Sequence, residues 1–440
     1  MNLGKRKGLI LAFFATVALG LVVGSSLAQK ASGVTEAYES LKVFTDAISI
    51  IQKSYVEKSN SKDLVYGAMK GMLEGLDPHS SFMSPDTFKE MQVETKGEFG
   101  GLGIEITMKE GMLMVVSPIE DTPAFKAGIK PGDIIIKIDG KTTKDMTLMD
   151  AVKMMRGPKG NSVTITIARE SFPEPKDFTI TRDIIAVKSV KTKALEPGYG
   201  YVRIAQFQEK TDSDLDKALD KMEKENGGLK GLVLDLRNNP GGLLDQAVKV
   251  SDDFLESGLI VYTDGRIEGQ KMTFSAKKEG TRPNYPIVVL VNAGSASASE
   301  IVAGALQDHE RALVLGTQTF GKGSVQTIYP LEDGSALRLT TARYYTPSGR
   351  SIQAKGITPD IILETEKAKR ALPRSFREIR EKDIDGHLEA PGAKPEEKIE
   401  KPKEEKVEAP KEEEAEDIQL NRALELLKSW QVFQKTIKKG

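Results

Sequence analysis

The spacing of apolar residues changes along this chain of 440 residues, and that change constrains the fold more than any other feature. Between residues 99 and 183, short β-rich runs such as Ile134–Ile138 are separated by Gly and Pro, which is typical of a small β domain. After Lys188, strand-like runs such as Leu232–Leu236 and Ile287–Val291 alternate with helical stretches, which predicts an α/β core. Because one hydrophobic core rarely organises more than about 300 residues, we expect several folded units.

Both ends of the chain add helical or charged sequence to these units. Apolar residues at three- and four-residue spacing predict helices before residue 75 and after residue 417. From Gly386 to Asp417 the sequence is mainly Lys, Glu, Pro and Ala, which cannot bury enough surface to fold alone. We predict a multidomain α/β (α+β) chain with a signal peptide or anchor at 1–28, a helical region at 29–94, a β-rich domain at 95–187, a mixed α/β core at 188–369, a charged linker at 370–417 and an amphipathic helix at 418–440.

The first residues have the pattern of an export signal. Basic residues from Lys5 to Lys7 precede an apolar run from Leu9 to Val23, and Ser26-Leu27-Ala28 offers small residues for cleavage. The run is shorter than the roughly 20 residues of a membrane-spanning helix, which favours a removed signal. An uncleaved N-terminal anchor is the alternative interpretation of this segment. We expect an extracytoplasmic, periplasmic protein, associated with the membrane if the segment is retained.

Composition argues against several classes of function. The formal net charge is -1, which argues against a protein that binds nucleic-acid phosphates. The absence of Cys excludes disulfides, thiolate metal sites and cysteine nucleophiles, and three His residues leave little capacity for binding a metal. We therefore expect neither nucleic acid nor metal as a partner.

A serine-rich turn follows the predicted strand Ile287–Val291 and precedes an apolar, helix-forming stretch. At this junction, Gly294-Ser295-Ala296-Ser297-Ala298-Ser299-Glu300, free N–H groups and the positive end of the helix dipole would stabilise an oxyanion. The same residues have a structural interpretation, because Ser297-x-x-Glu300 is a capping box that would begin the helix without catalysis. Spacing alone favours the cap.

A lysine among glycines is the second candidate. The run from Gly316 to Gly323 nearly matches a phosphate-binding P-loop, but Gly323 replaces the required Ser or Thr and Ser324–Tyr329 alternates like a strand. Nucleotide binding is therefore rejected. Lys322 and Gln326, four residues apart, would point to the same face of that strand, where Gln326 could orient the lysine. From the pattern alone, an exposed turn is the simpler interpretation of Lys322.

Two glycine turns are candidates for binding an anion. Asn238-Asn239-Pro240-Gly241-Gly242 follows a predicted strand and can direct N–H groups at an oxyanion, although an ordinary tight turn fits equally well. Phe99-Gly100-Gly101-Leu102-Gly103-Ile104 opens the β-rich domain. This loop can bind a carboxylate while the following strand edge pairs with an extended peptide, or it can be a simple entry loop.

These motifs stand in the order found in a known family, and the chain closely resembles the bacterial carboxyl-terminal processing peptidases, also called tail-specific proteases. The match runs from Gly75-Leu76-Asp77-Pro78-His79-Ser80 through the Asn-Asn-Pro-Gly-Gly turn to Gly356-Ile357-Thr358-Pro359-Asp360. The resemblance implies a mixed α/β protease core with a cap, a β-rich PDZ domain packed against it, and helical terminal segments that mediate self-association.

The resemblance also implies roles for individual residues. Ser297 would be the nucleophile, Lys322 the general base and Gln326 the residue that positions the lysine. The N–H groups of Ala298 and Gly242 would form the oxyanion hole, with the glycine before Gly242 as an alternative.

In the PDZ domain, the resemblance assigns Gly101, Leu102, Gly103 and Ile104 to binding of the substrate's C-terminal tail. Arg156 matches an arginine that links peptide binding to activation, and a solvated helix end is an equal alternative for it. The implied partners are protein substrates with apolar C-terminal tails, further copies of the chain and an activating adaptor.

The implied mechanism requires a neutral lysine. An exposed lysine is mostly charged at neutral pH, so Lys322 must be buried to take the proton of Ser297, and an acyl-enzyme forms without metal or cofactor. Two rival interpretations differ from it. One is an inactive PDZ-type scaffold that only binds tails, and the other is a Ser-His-Asp hydrolase in which His309 or His79 is the base.

Overall fold

The computed structural model describes residues 38–364, 379–392 and 417–437, so the predicted signal segment lies outside the described residues. Two compact units are present, Met1–Gly75 and Leu76–Gly440. In the first, helix α1 spans 38–54 and helix α2 spans Ser61–Glu74, where the Asn60 side chain caps the first turn. Among the described helices, none combines the length and apolar character needed to cross a membrane.

The second unit begins with strand β1 (Ser81–Met83), helix α3 (Pro85–Lys96) and a β-rich module. Side chains of the module's strands alternate between its interior and its surface, which is the pattern expected of a half-buried sheet. The module contains helices α4 (Pro123–Lys126) and α5 (Leu148–Met155) and strands β2 (Glu98–Gly101), β3 (Ile104–Lys109), β4 (Met112–Pro118), β5 (Ile134–Ile138), β6 (Lys141–Thr142), β7 (Ser162–Ala168), β8 (Lys176–Thr181) and β9 (Asp183–Ala186). Its main sheet has the order β3-β4-β5-β7-β8, with β6 beside β5, which leaves β3 at an edge.

A six-stranded sheet forms the larger core, with antiparallel β10 at one edge and parallel pairing across the other strands. Its order in space is β10 (Val190–Glu196), β11 (Tyr199–Ile204), β12 (Gly231–Asp235), β15 (Ile287–Val291), β16 (Leu313–Gly316) and β19 (Ile361–Ile362). Every residue of β12 and β15 is buried, because helices cover both faces of the sheet. The predicted mixed α/β class is thereby confirmed.

One face of this sheet packs against helices α6 (Thr211–Asn226), α7 (Leu244–Asp252) and α8 (Ala298–Asp308). Helix α9 (Ile418–Ile437) covers the other face, so the predicted amphipathic C-terminal helix docks on this chain itself. Its Ala423 and Leu427 are buried against Val233, Val288 and Leu290.

A smaller antiparallel sheet lies beside the core and contains the strand that follows Lys322. It is formed by β1, β13 (Leu259–Gly265), β14 (Met272–Ser275), β17 (Ser324–Pro330) and β18 (Ala336–Tyr345). The central strand β18 pairs with β1, β13 and β17. Residues 379–392 fall within the predicted linker, yet Glu381 is fully buried and Ala390 is 6% exposed.

Candidate active site

The serine turn lies where β15 ends and α8 begins. Ser297 immediately precedes Ala298, the first residue of α8, and it is 8% exposed. Its backbone has φ 54° and ψ -112°, a strained conformation for a residue with a Cβ. Ser295 holds the turn in place, because its hydroxyl donates to the Leu236 carbonyl at 2.7 Å and accepts from the Asn292 N–H at 3.0 Å. The nucleophile candidate is therefore a buried serine on a rigid, strained turn.

The lysine loop, residues 317–323, connects β16 to β17. Lys322 is partly buried, and within the described part of the chain no carboxylate forms an ion pair with its Nζ. Burial lowers the pKa of Lys322 and the positive charge of Arg338 lowers it further, while Glu381, Glu300 and Asp77 oppose both effects. A lowered pKa is the property that a lysine base requires.

Glu300 connects the serine turn with the lysine loop. One carboxylate oxygen, Oε2, accepts the N–H of Ser297 at 2.8 Å and the N–H of Lys322 at 2.9 Å. The other, Oε1, accepts the Thr319 hydroxyl at 2.6 Å and the Gly321 N–H at 2.7 Å. Burial raises the pKa of Glu300 to about 7, although these four donors favour its charged form. The sequence pattern identified Glu300 only as a helix cap.

The glycine turn after β12 lies against the serine turn. A Cβ on Gly241 would be 2.9 Å from Cβ of Ser297 and 3.0 Å from the nitrogen of Ala298. The Gly241 N–H donates to Oδ1 of Asn239 at 2.9 Å, whereas among the described residues the N–H groups of Gly242 and Ala298 have no acceptor. Of the two glycines, Gly242 is therefore the one with a free donor for an oxyanion.

Two further side chains, those of Gln326 and Tyr344, belong to this region. Nε2 of Gln326 donates to the Ser324 hydroxyl at 2.9 Å and to Thr340 at 3.4 Å, and it makes no hydrogen bond with Lys322. Tyr344 is 5% exposed; burial raises the pKa of its hydroxyl to about 12, and the nearby Ser297 side chain opposes that effect. Tyr344 is a site residue that no sequence motif indicated.

The glycine loop that opens the β-rich module offers, within the described part of the chain, two unbonded backbone N–H groups beside an edge strand. The N–H groups of Leu102 and Gly103 have no backbone acceptor among the described residues, and the loop leads into the edge strand β3. Gly103 has φ 78°, and a Cβ there would be 2.3 Å from Cβ of Thr122, so this position requires glycine. Ile104 is partly buried at the start of β3.

Arg156 ends helix α5 and contacts the strand before this loop. Its guanidinium carbon lies 4.5 Å from the centre of the Phe99 ring, which is a cation–π contact. In the same place a Cβ on Gly100 would be 2.0 Å from the carbonyl oxygen of Gly157, so the two backbones are in direct contact. Arg156 is thus packed against the entry strand of the module.

Comparison with known proteins identifies the family. Peptidase family S41 matches residues 198–363, the PDZ domain matches 90–168, and the N-terminal domain of the activating protease CtpB matches 20–87. The carboxy-terminal-processing protease of Bartonella bacilliformis is 48% identical over 421 residues, which cover 93% of this chain and 94% of that protein. This chain belongs to peptidase family S41. The predicted family, the peptidase activity and the PDZ domain are confirmed.

Two further relatives share the description. The carboxy-terminal processing protease CtpA of Bacillus subtilis is 38% identical over 359 residues, covering 81% of this S41 chain and 76% of that protein. A solved structure named photosystem II D1 C-terminal processing protease is 31% identical with a TM-score of 0.43, covering 78% of this chain and 97% of that one.

The two histidines of the rival hydrolase interpretation are engaged elsewhere in this S41 peptidase. Nε2 of His309 is hydrogen-bonded with the Leu259 carbonyl at 2.7 Å, and Nε2 of His79 lies 2.8 Å from Glu381. Within the described ranges, neither ring makes a hydrogen bond with Ser297.

Proposed function

We propose that this S41 peptidase is a serine endopeptidase that cleaves proteins near their C-termini through an acyl-enzyme on Ser297, with Lys322 as general base. The observation that carries the proposal is the shared acceptor: Oε2 of Glu300 binds the N–H groups of both Ser297 and Lys322. Two residues far apart in sequence are thereby held at one site. The lowered pKa of Lys322 supports its role as base.

In the proposed reaction, Nζ of neutral Lys322 takes the proton of the Ser297 hydroxyl while Oγ attacks the scissile carbonyl carbon. The charged oxygen of the tetrahedral intermediate accepts N–H groups from Ala298 and Gly242, which are free for that purpose. Lys322 then gives its proton to the leaving amine, and the C–N bond breaks.

The acyl-enzyme is hydrolysed by the same groups. Lys322, neutral again after protonating the amine, takes a proton from water as the water attacks the ester carbon. Collapse of the second intermediate releases the new carboxylic acid and returns the proton to Oγ of Ser297. Lys322 makes every proton transfer in this scheme. We therefore assign Gln326, which lies in the strand after the lysine loop, only the role of orienting Lys322.

We assign substrate selection to the PDZ domain. The free N–H groups of Leu102 and Gly103 would bind the terminal carboxylate, and the edge of β3 would pair with the tail, as in other strand-addition sites. We also assign to Arg156, which packs on Phe99 of the same domain, the role of linking tail binding to the peptidase core. The names of the relatives, carboxy-terminal processing proteases, support this substrate class.

Location and partners are part of the proposal. The basic and apolar N-terminal pattern supports export to the periplasm, with membrane association if the segment is retained. The match to the N-terminal domain of an activating protease supports association with a further protein, either an adaptor or another copy of this chain.

The test is peptide cleavage by purified wild-type, Ser297→Ala and Lys322→Ala proteins. Both variants are expected to lose turnover while keeping the fold, and the double variant is expected to resemble either single one, because nucleophile and base act as a unit. Labelling by a fluorophosphonate should require Ser297. Substantial turnover by Lys322→Ala together with loss in His79→Ala or His309→Ala would replace this mechanism by the histidine-based one. Absence of labelling and of cleavage in the wild type would favour the inactive scaffold.

A further inference from the structure

We propose that Glu300 is a positioning residue whose carboxylate fixes the serine turn and the lysine loop relative to each other. This inference rests on the proposed Ser297/Lys322 mechanism and deepens it. A helix cap at this position needs only the hydrogen bond from the Ser297 N–H, in which the third helical residue bonds back to the residue before the helix. The other hydrogen bonds of Glu300 need a different explanation.

Three of the four donors to Glu300 come from the lysine loop. They are the Thr319 hydroxyl and the N–H groups of Gly321 and Lys322, which lie 19 to 22 residues further along the chain. Each carboxylate oxygen accepts two hydrogen bonds, and Oε2 joins the two loops directly because it binds Ser297 and Lys322 together. A displacement of either loop would break bonds to the same rigid group.

The burial of Glu300 also supports a positioning role. Its side chain is fully buried, and among the described residues no cation forms an ion pair with it. A buried carboxylate without a cation is costly unless its oxygens are hydrogen-bonded. Here both oxygens accept hydrogen bonds from the two catalytic loops, and these bonds favour the charged form at the place where it positions the loops.

A second layer of contacts supports the carboxylate. The Thr319 hydroxyl oxygen, which donates to Glu300, also accepts the N–H of Ile357 at 2.6 Å. Beside it, a Cβ on Gly356 would be 2.7 Å from the Thr319 hydroxyl and 3.2 Å from Oε1 of Glu300. Gly356 has φ 66°, so glycine is favoured there by both backbone and space. The carboxylate is therefore closely surrounded and has little freedom to move.

Glu300→Gln separates the two roles. A capping box accepts Gln as well as Glu, so a cap alone predicts native turnover. The positioning role predicts a loss, because a Gln amide has one acceptor oxygen and one donor NH₂ group. Whichever way the amide lies, two of the four donors would face NH₂. Displacing reacting groups by about 1 Å costs about 100-fold in rate, and we expect kcat to fall by about that factor.

The measurements are kcat, KM and thermal midpoint for a peptide with a free C-terminus. KM should stay within about twofold because the PDZ loop is not altered. The matched control is Val302→Ala, which removes packing at a fully buried position on α8 that belongs to neither loop. That control should lower the midpoint with native kcat. A Glu300→Gln protein with kcat like that of the wild type would overturn the positioning role.

Two further variants keep the inference testable if Glu300→Gln does not fold. Thr319→Val removes one donor to Oε1 without changing charge, and Thr319→Ser restores the hydroxyl. We expect a loss of kcat in Thr319→Val that Thr319→Ser largely recovers, and equal kcat in the two would contradict the inference. Ser297→Ala and Lys322→Ala run in parallel: if they are inactive while Glu300→Gln is native, only the positioning role fails. If they remain active, the proposed mechanism fails instead.

Discussion

Both carboxylate oxygens of Glu381 lie 2.8 Å from Nε2 of His79, a residue 302 positions earlier in the chain. Gln353 donates to Oε1 of the same carboxylate at 2.9 Å, and the Glu381 N–H donates to the Phe320 carbonyl at 3.1 Å. Residues 379–392 thereby contribute a fully buried acidic group beside the lysine loop. Its negative charge raises the pKa of Lys322 and so opposes the effect of burial.

The variant Glu381→Gln should shift the pH dependence of cleavage. Removing a negative charge near Lys322 favours its neutral form, so the pKa of the lysine falls and the acidic limb of the pH profile moves to lower pH. Arg338, Glu300 and Asp77 also face Lys322 and are unchanged by the substitution.

The measurement is kcat/KM against pH for the wild type and for Glu381→Gln. The matched control is Glu389→Gln in the same segment, because the Glu389 side chain is 66% exposed. That control should leave the profile in place. A shift of the acidic limb to higher pH in Glu381→Gln would contradict the sign of the interaction.

The wild-type enzyme should gain activity as pH rises through the neutral range. The proposed mechanism needs Lys322 without its proton and Glu300 as a carboxylate, and raising the pH favours both forms. Burial raises the pKa of Glu300 to about 7, so protonation of this carboxylate should reduce activity below neutral pH, where ordinary buffers can test it. Single-turnover acylation measured from pH 5 to 9 tests this, and a rate that is flat across that interval would be incompatible with both requirements.

Docking of the C-terminal helix should contribute to stability. Leu427 is 2% exposed and packs on the outer face of the core sheet, so Leu427→Ala should lower the free energy of unfolding by about 2–5 kcal/mol. Phe433→Ala on the same helix removes a side chain that is 65% exposed and should change stability by less than about 0.5 kcal/mol. Urea denaturation measures the free energy of unfolding of both variants. Equal losses would show that docking of this helix face does not contribute to stability.

Local patterns predicted the strands well because each is a continuous apolar run bounded by turn residues. The predicted strands Ile134–Ile138 and Ile287–Val291 have the same limits in the structure, and the predicted run Leu232–Leu236 corresponds to Gly231–Asp235. The strand–turn–helix junction at Ser297 was also visible, since it depends on neighbours in sequence.

Contacts between distant segments could not be predicted in the same way. The capping box around Glu300 was visible, but its bonds to the lysine loop depend on how β16 returns beside β15. The region around Glu381 has the composition of a linker, and its burial depends on His79 and Gln353. Alternation put Gln326 and Lys322 on one face, but a bulge between Val325 and Gln326 alters that alternation and the Gln326 amide bonds to Ser324 and Thr340. Its role in positioning Lys322 stays a prediction.

Tail recognition gives the last prediction, which concerns the substrate rather than the enzyme. The free N–H groups of Leu102 and Gly103 face no acceptor among the described residues, and they lie at the start of the edge strand β3. Hydrogen bonds to a charged group are worth about 1.5–3 kcal/mol, so replacing the substrate's terminal carboxylate by an amide should weaken the contact about ten- to a hundredfold.

The measurement is cleavage of matched peptides with free-acid and amidated ends over a concentration series. It separates the affinity for the tail from activation of the peptidase by the bound tail. If the PDZ domain only binds the tail, amidation raises KM and leaves kcat unchanged; if the bound tail also stabilises the active arrangement through Arg156 and Phe99, kcat falls as well. Gly103→Ala is the complementary change in the enzyme, because its Cβ would overlap Thr122 and displace the loop. In that variant the preference for the free acid should disappear. Equal specificity constants for the two peptides in the wild type would refute tail selection and leave the Ser297/Lys322 chemistry untouched.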